Sequence, residues 1–558
     1  MTKKQLLLRY ILPFSFGIGL FIFIIVKAAV VQISVDEAYT LTMLTKESVW
    51  NLVSYASSYT NNHILNSLLC KLSFSIFGMH QMAGRLPNIL SFLLYFWFVW
   101  QFSRRFFKDE YVGLMFVAVM LGNPYMLEFF SLARGYGLSF ALMMPSIYYA
   151  ARYVLENHRQ SLPLSILFAI LSVYAQFALL HFFLTLNFLI FLFEIQKYVL
   201  TKNKTELERG IGTQIVGTVL LAILVYAPFK AILKDNQISY YGSKNIWDDS
   251  FVSIISRSLY GQGYFSSHTV TVFKNLMIVL LVFLILNCFD KFKNRKSNLI
   301  ELNNLKIKSN ELLINKNKSL LNDINLTQNN KELKLENNKI LIQNNELLIE
   351  NNELLIQNNN NQSTIINNQF KDPSLFSFVL LFSIIFIITA QFYVFGTQYV
   401  VERTALFLYP IIALNFTTIA TLLMTKSKQL GRFVAILFIV FCTYHIARTS
   451  NLRYFSEWWF DIHTKEVLDI MKSEYQKMQD KKPIKLHTGW TLQPSFDYYH
   501  KEQHLDWLVE PFGWDNKVDT VKYYDYYYDL NDNWDALKTR YDTLKSYDNG
   551  EYLLLKRK

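Results

Sequence analysis

The sequence predicts an α-helical polytopic membrane protein with about eleven transmembrane helices, a long first outer loop and a small C-terminal extracytoplasmic α/β domain. Of its 558 residues, 52% are hydrophobic and only 18% are charged, and the apolar residues form long runs such as 11–26 and 375–388. Average globular domains carry about 25% charged residues, and about 20 apolar residues in a helix span a bilayer. These observations exclude a disordered chain and an ordinary soluble enzyme.

The apolar runs set the positions of the spans. Hydropathy places them near residues 10–30, 85–103, 110–124, 133–153, 162–180, 182–197, 210–229, 272–289, 374–393, 404–424 and 432–449. Alternate loops carry clustered Lys and Arg, as in 104–108, 197–209 and 291–296. Such residues concentrate in short cytoplasmic loops, which predicts a cytoplasmic N-terminus, an extracytoplasmic C-terminus and an outer loop over 31–84.

Composition divides the chain into four parts. We assign residues 1–296 to the first membrane part and residues 297–371 to an insert. Residues 372–450 form the second membrane part, and residues 451–558 form a C-terminal domain. The cytoplasmic insert is rich in Asn and repeats every seven residues from Ile340, Leu347 and Leu354. A heptad pattern is typical of a coiled coil and would allow self-association, while a low-complexity segment that stays disordered explains the pattern as well.

The C-terminal part has the pattern of a small α/β domain. The spacing predicts a helix over 465–478 and strands over 484–487 and 552–555, with an aromatic run at 523–528 between turn residues. This part has a net charge of −3, so the excess behind the overall +12 lies in the membrane part. Anionic membrane lipids explain that excess, and no nucleic-acid partner is indicated. Trp458 and Trp459 fit an aromatic belt at the membrane interface.

Polar and charged residues collect at one predicted membrane surface. Asp36 and Glu37 open the first outer loop, His63 begins an amphipathic stretch within it, and Arg85 opens the second span. The same surface is predicted to hold Arg134, Tyr136, Glu402 and Arg403. Ionisable residues at a bilayer boundary are costly and are therefore functional hypotheses by default. A carboxylate there offers a general base or a cation site, and arginine matches phosphate with two parallel hydrogen bonds.

Each of these residues also has a structural explanation. Arg85 could simply extend to the membrane interface beneath a helix start. Glu37 could be a charge in the first turn of a helix. Glu402 and Arg403 could form a local ion pair worth about 0–1 kcal/mol.

In their order, these motifs resemble the GT-C glycosyltransferases, specifically glycosyltransferase family 39, which includes protein O-mannosyltransferases and lipid A aminoarabinose transferases. The resemblance covers residues 1–150 and, more weakly, 398–410. It implies an enzyme of the bacterial inner membrane that takes a sugar from a polyprenyl-phosphate donor. The acceptor would be a hydroxyl of a protein, lipid or glycan on the extracytoplasmic side.

The resemblance also implies roles for the acidic pair and two basic residues. Asp36 matches the catalytic base, and Glu37 would orient it or hold a divalent cation; no cofactor beyond such a cation is implied. Arg85 and Arg134 match the basic residues that bind the donor phosphate. In-line displacement at one centre predicts inversion of the anomeric configuration.

The remaining matches complete the predicted substrate-binding set. His63 corresponds to a His-Pro-Pro type motif, with Ile64 where proline is expected. Arg403 lies where related proteins often have a basic residue before a proline-containing helix, next to Glu402, and Tyr136 follows Arg134 in the fourth span.

A second class of function stays open at this stage. A transporter or flippase of lipid-linked glycans also needs charge in the membrane and a large cavity. Transporters tend to show internal repeats, and the spans show none, so the enzyme is the preferred hypothesis. A scaffold that recruits partners through the insert would leave the polar residues of the first loop unexplained.

Overall fold

The computed structural model describes residues 2–56, 61–234, 242–260, 266–287, 290, 373–509, 524–530 and 534–558. In chain order the helices are α1 (Lys3–Val30), α2 (Val35–Thr42), α3 (Val49–Ser54), α4 (Ile64–Phe77), α5 (Gln81–Phe106), α6 (Glu110–Leu121), α7 (Pro124–Glu128), α8 (Gly135–Glu156), α9 (Ser161–Ala175), α10 (Leu180–Thr201), α11 (Lys204–Lys234), α12 (Ser253–Ser258), α13 (Ser267–Asn287), α14 (Pro373–Phe395), α15 (Leu408–Lys426), α16 (Lys428–Thr449), α17 (Thr464–Lys477), α18 (Gln493–Glu502) and α19 (Trp534–Leu537). The predicted heptad insert lies outside the described residues.

The helices confirm a multi-pass helical membrane protein. A helix lies at each predicted span position, and within the described ranges eight are long and apolar enough to cross a membrane. A ninth span would result if Glu110–Leu121 and Pro124–Ser131, which meet at 58°, form one broken crossing. Helices suit this setting because they satisfy their backbone polar groups internally. The count of eleven crossings stays a prediction.

Helix α8 is not among the eight candidate membrane crossings, because other helices enclose it. It is 22 residues long, and almost all of it is buried against neighbours that include α5 and α9. A helix enclosed by other helices meets little lipid, so its sequence can carry polar and small residues. Its burial also holds its first residues rigidly, which matters because Arg134 immediately precedes it.

The first loop is built from the short helices α2, α3 and α4. Ser34 caps α2: its hydroxyl accepts from the Glu37 backbone N–H, and the Glu37 carboxylate accepts from the Ser34 N–H. This reciprocal capping fixes the first turn. Consecutive side chains on a helix point about 100° apart, so Asp36 and Glu37 face different parts of the protein.

The C-terminal region confirms a small α/β domain. Its strands are β1 (Leu486–Thr488), β2 (Tyr526–Leu530), β3 (Tyr541–Tyr547) and β4 (Tyr552–Arg557), in the sheet order β1-β2-β4-β3. The pair β1 and β2 is parallel, and the other pairs are antiparallel. Three tyrosines of the aromatic run, Tyr526, Tyr527 and Tyr528, lie in the inner strand β2, and Tyr526 and Tyr528 are buried in the domain core.

The C-terminal domain is attached to the first loop by buried hydrogen bonds. The Ile33 backbone N–H donates to the Tyr499 hydroxyl at 2.9 Å. The Val35 N–H donates to the Asp461 carboxylate at 2.9 Å, and Ser495 donates to the other oxygen of that carboxylate at 2.7 Å. These contacts hold the start of α2, so the domain helps to fix the turn that carries Asp36.

A buried ion pair links the first helix to the segment that leads into this domain. Lys27 and Glu128 are 1% and 3% exposed, and their charged atoms lie 2.8 Å apart. Lys27 also donates to the Asn451 carbonyl at 3.0 Å, and Glu128 accepts from the Ser456 N–H at 2.8 Å. Pairing is what makes two buried charges tolerable, and here it ties α1, α7 and residues 451–456 together.

Candidate active site

One carboxylate and two guanidinium groups meet at the end of the helix bundle that carries the first loop and the C-terminal domain. The Arg403 Nη1 lies 2.9 Å from the Asp36 Oδ2, and the Arg134 Nη2 lies 3.5 Å from the same oxygen. Asn61 donates to the other oxygen at 3.4 Å. Burial alone raises the pKa of Asp36, but the two arginines outweigh it and hold the pKa below its ordinary value. Asp36 is therefore ionised at neutral pH.

Arg134 is held at the start of α8 with unused hydrogen-bonding capacity. Its side chain is 2% exposed, and its Nη1 has only long contacts, at 3.3–3.4 Å, to Asp36 O, Thr40 Oγ1 and Asn61 O. Its Nε has no partner among the described residues. A buried donor left unpaired is costly, so this guanidinium has the form expected of a group that binds a ligand.

Arg403 reaches Asp36 from a short turn before α15. The turn, Glu402–Thr404, places Glu402 at φ +49°, a left-handed conformation that is uncommon outside glycine. The guanidinium carbon of Arg403 lies 5.3 Å from the centre of the Trp458 ring. Its side chain is 30% exposed, so Arg403 is the more accessible of the two arginines.

These arginines line a cavity of about 630 Å³ that also contains other predicted residues. Its wall includes His63, Tyr136, Glu402 and the unpredicted Tyr55. The His63 and Tyr136 rings meet edge to face with centres 5.2 Å apart. Neither the His63 Nε2 nor the Tyr55 hydroxyl has a hydrogen-bond partner in the part of the chain that the structure describes. Residues of the cavity wall therefore carry unpaired polar atoms.

His63 is neutral in this setting. Burial lowers the pKa of its imidazole well below the usual range, and the nearby charges of Arg134 and Arg403 lower it further. A neutral ring offers one donor and one acceptor nitrogen. Such a group suits a hydroxyl better than a phosphate.

Glu37 and Arg85 form a separate, fully enclosed pair that does not line this cavity. Two parallel contacts of 2.7 and 2.8 Å join them, and both side chains are 0% exposed. Arg85 also donates to the carbonyls of Ala28, Val31 and Gln32 at 2.7–3.0 Å. Glu37 is next to Asp36 in the sequence, but its carboxylate and the Arg85 guanidinium face the protein interior.

The Glu37 carboxylate makes one further contact that bears on the site. It accepts from the Ala133 backbone N–H at 2.7 Å, and Ala133 directly precedes Arg134. The pair therefore connects the turn that carries Asp36 to the turn that carries Arg134. Among the described residues, no group of three or more His, Cys, Asp or Glu is gathered in a way that could hold a metal ion.

Glu457 is a site residue that the sequence reasoning missed. It lines the cavity, accepts from the Tyr125 hydroxyl at 2.8 Å, and lies 3.7 Å from the Arg403 Nε. Arg257, also missed, lies 2.8 Å from Glu402 and 3.8 Å from Glu457. The neighbouring Trp458 is 4% exposed and lies against Arg403, so the aromatic-belt interpretation is wrong for it.

Fold and site together define a multi-pass helical membrane protein with an arginine–carboxylate centre beside a C-terminal α/β domain. No family model matches the sequence, and no curated protein matches it. Two solved structures of ArnT from Cupriavidus metallidurans are similar over 98% of this chain and 97% of theirs at 10% identity. The structure bound to undecaprenyl phosphate has a TM-score of 0.45, and the apo structure has 0.47.

Proposed function

We propose that this protein is a membrane glycosyltransferase that moves a sugar from a polyprenyl-phosphate-linked donor to an acceptor hydroxyl on the extracytoplasmic side. The proposal rests on the contacts of Asp36 with Arg134 and Arg403, two arginines that line a cavity whose wall also holds residues with unpaired polar atoms. A base is thus in contact with two phosphate-binding cations that line the cavity. That combination suits displacement of a phosphate-linked sugar by a hydroxyl.

The chemistry is a single displacement with inversion. Asp36 takes the proton of the acceptor hydroxyl as its oxygen forms a bond to the anomeric carbon. The bond from that carbon to the phosphate oxygen breaks, and its electron pair stays on the lipid phosphate. Arg134 and Arg403 stabilise the charge that develops there, since donors placed for developing charge act strongly away from water. Base assistance of this kind contributes about 10²- to 10⁴-fold.

The low pKa of Asp36 in the free protein fits this scheme once the donor is considered. With no ligand, Asp36 is itself the anion that both arginines hold. A donor phosphate would compete for the same guanidinium groups and would bring negative charge near the carboxylate. Both effects raise the proton affinity of Asp36, so donor binding would turn a weak base into a stronger one.

The enclosed pair then has a positioning role. Glu37 and Arg85 have their hydrogen-bonding groups occupied within the protein, which leaves little capacity for substrate. We infer that they hold the turn that carries Asp36 in place against the turn that carries Arg134. Catalytic groups need such support because a displacement of about 1 Å can cost about 100-fold in rate.

Neutral polar groups would recognise the sugar. His63 Nε2 and the Tyr55 hydroxyl, both without partners in the described structure, can exchange hydrogen bonds with sugar hydroxyls. Among the described residues, Glu402 and Glu457 are the carboxylates on the cavity wall. Tyr136 supplies an aromatic surface beside His63.

The test uses full-length protein in proteoliposomes with a radiolabelled polyprenyl-phosphate sugar and acceptors of the three classes. Wild-type protein should transfer label to one acceptor, and Asp36→Asn should lose at least about 100-fold of the turnover while it still binds donor. Asp469→Asn, an exposed carboxylate of α17, is the matched control and should behave as wild type. Label that crosses the bilayer unchanged would indicate a flippase instead, and normal turnover in Asp36→Asn would exclude the mechanism.

A further inference from the structure

A second cavity, of about 620 Å³, lies at the opposite end of the helices that form the first. Helix α8 begins beside Arg134 at the first cavity and brings Tyr153, near its other end, to the second. Helix α11 does the same in reverse, with Ile232 at the first cavity and Glu206 at the second. Because a 22-residue helix is about 33 Å long, the two cavities lie near opposite membrane surfaces.

The second cavity carries an excess of positive charge. Arg159, Lys197 and Arg209 line it, and Glu206 is the one carboxylate on its wall within the described residues. Glu206 is shared between Arg159 and Lys197, with 2.7 Å to the lysine. Arg209 has no ion pair or hydrogen bond from its side chain to any described residue. The nearby Glu194 is buried, accepts from Tyr153 and does not line the cavity.

Apolar side chains continue from this charged cavity onto the outer surface of α11. Val216 lines the cavity and is also 69% exposed. Val219 and Ile223 follow it at helical spacing and are 52% and 69% exposed. In a chain that spans a membrane, such a stripe faces hydrocarbon. The cavity therefore joins a basic pocket to a surface suited to acyl chains.

We propose that this cavity binds the phosphate headgroup of an anionic phospholipid whose acyl chains lie along Val216, Val219 and Ile223. Basic pockets between transmembrane helices bind anionic headgroups, and a guanidinium without a partner is suited to phosphate. The continuous apolar stripe favours a lipid over a free phosphate ion. The proposal concerns a site apart from Asp36, so it does not depend on the transferase reaction.

The test measures lipid binding to the full-length protein in detergent by native mass spectrometry. Phosphatidylglycerol should bind in preference to phosphatidylcholine. The double variant Arg159→Gln/Arg209→Gln should bind phosphatidylglycerol about 30-fold more weakly, because two basic contacts to an anionic lipid are lost. Lys204→Gln is the matched control, since Lys204 lies on the same helix end, is 77% exposed and is absent from the cavity wall.

Two results would overturn the proposal. Equal binding of phosphatidylglycerol by the double variant and by Lys204→Gln would show that the cavity is not the lipid site. Binding of inorganic phosphate with no preference for phosphatidylglycerol over phosphatidylcholine would show that the cavity takes a free anion. The thermal unfolding midpoint of each variant, which should stay near that of the wild type, separates loss of binding from loss of fold.

Discussion

Replacing Arg403 with glutamine removes one of the two cations that hold the Asp36 carboxylate. Loss of one donor to a developing oxyanion typically lowers turnover by about 10²- to 10³-fold. Arg403 is 30% exposed whereas Arg134 is 2% exposed, and water weakens a charge that it can reach. We therefore expect turnover to fall about 100-fold in Arg403→Gln and about 1,000-fold in Arg134→Gln.

The same substitution should move the acid side of the pH–rate profile. Asp36 must be ionised to act as the base, and its pKa is lowered by the two arginines. Activity is then present above that pKa and is lost as the pH falls through it. Removing Arg403 raises the pKa, so the loss of activity should begin at a higher pH in Arg403→Gln than in the wild type.

The assay is the transfer rate in proteoliposomes across a pH series. Arg257→Gln is the matched control because Arg257 pairs with Glu402 and forms no ion pair or hydrogen bond with Asp36. Its acid limb should coincide with that of the wild type. An unchanged acid limb in Arg403→Gln, with turnover reduced, would refute the assignment of Asp36 as the base that the arginines tune.

Two more predictions concern the supports of the site. Arg85→Met should destabilise the protein by about 3–5 kcal/mol, because the buried Glu37 loses its partner; denaturant unfolding measures this, and the double variant with Glu37→Gln should recover part of the loss. Gly135→Ala should raise the donor KM and also lower the unfolding temperature. The new methyl group would clash with the Ala175 carbonyl and lie 2.7 Å from the His63 Cβ, and an unchanged KM would count against His63 as a sugar contact.

Hydropathy predicts the membrane helices well because burial in lipid leaves a simple pattern in the chain. It is weakest at α8, which other helices enclose, and at Asn123–Pro124, where the Asn123 side chain caps α7 and the helix axis bends. The sequence does not show which of Asp36 and Glu37 contacts the two arginines that line the cavity. That choice depends on the phase of one short helix and on a capping interaction with Ser34.

The sequence does not predict Glu457 as a site residue, for a different reason. Its place beside Arg403 depends on how the last part of the chain docks, and no local pattern encodes that docking. The motif order did place Arg134 and Arg403 at the same surface as Asp36. The contact of both arginines with Asp36, across 367 residues of sequence in the case of Arg403, is supplied by the structure.

The attachment of the C-terminal domain has a consequence for biosynthesis. The turn that carries Asp36 is held by Asp461 and Tyr499, and the cavity wall is completed by Glu457. A ribosome makes these residues more than 400 positions after the carboxylate they support. The nascent chain can thus insert most of its membrane helices while the site is still incomplete, and activity would begin only when the last domain has been made and has docked.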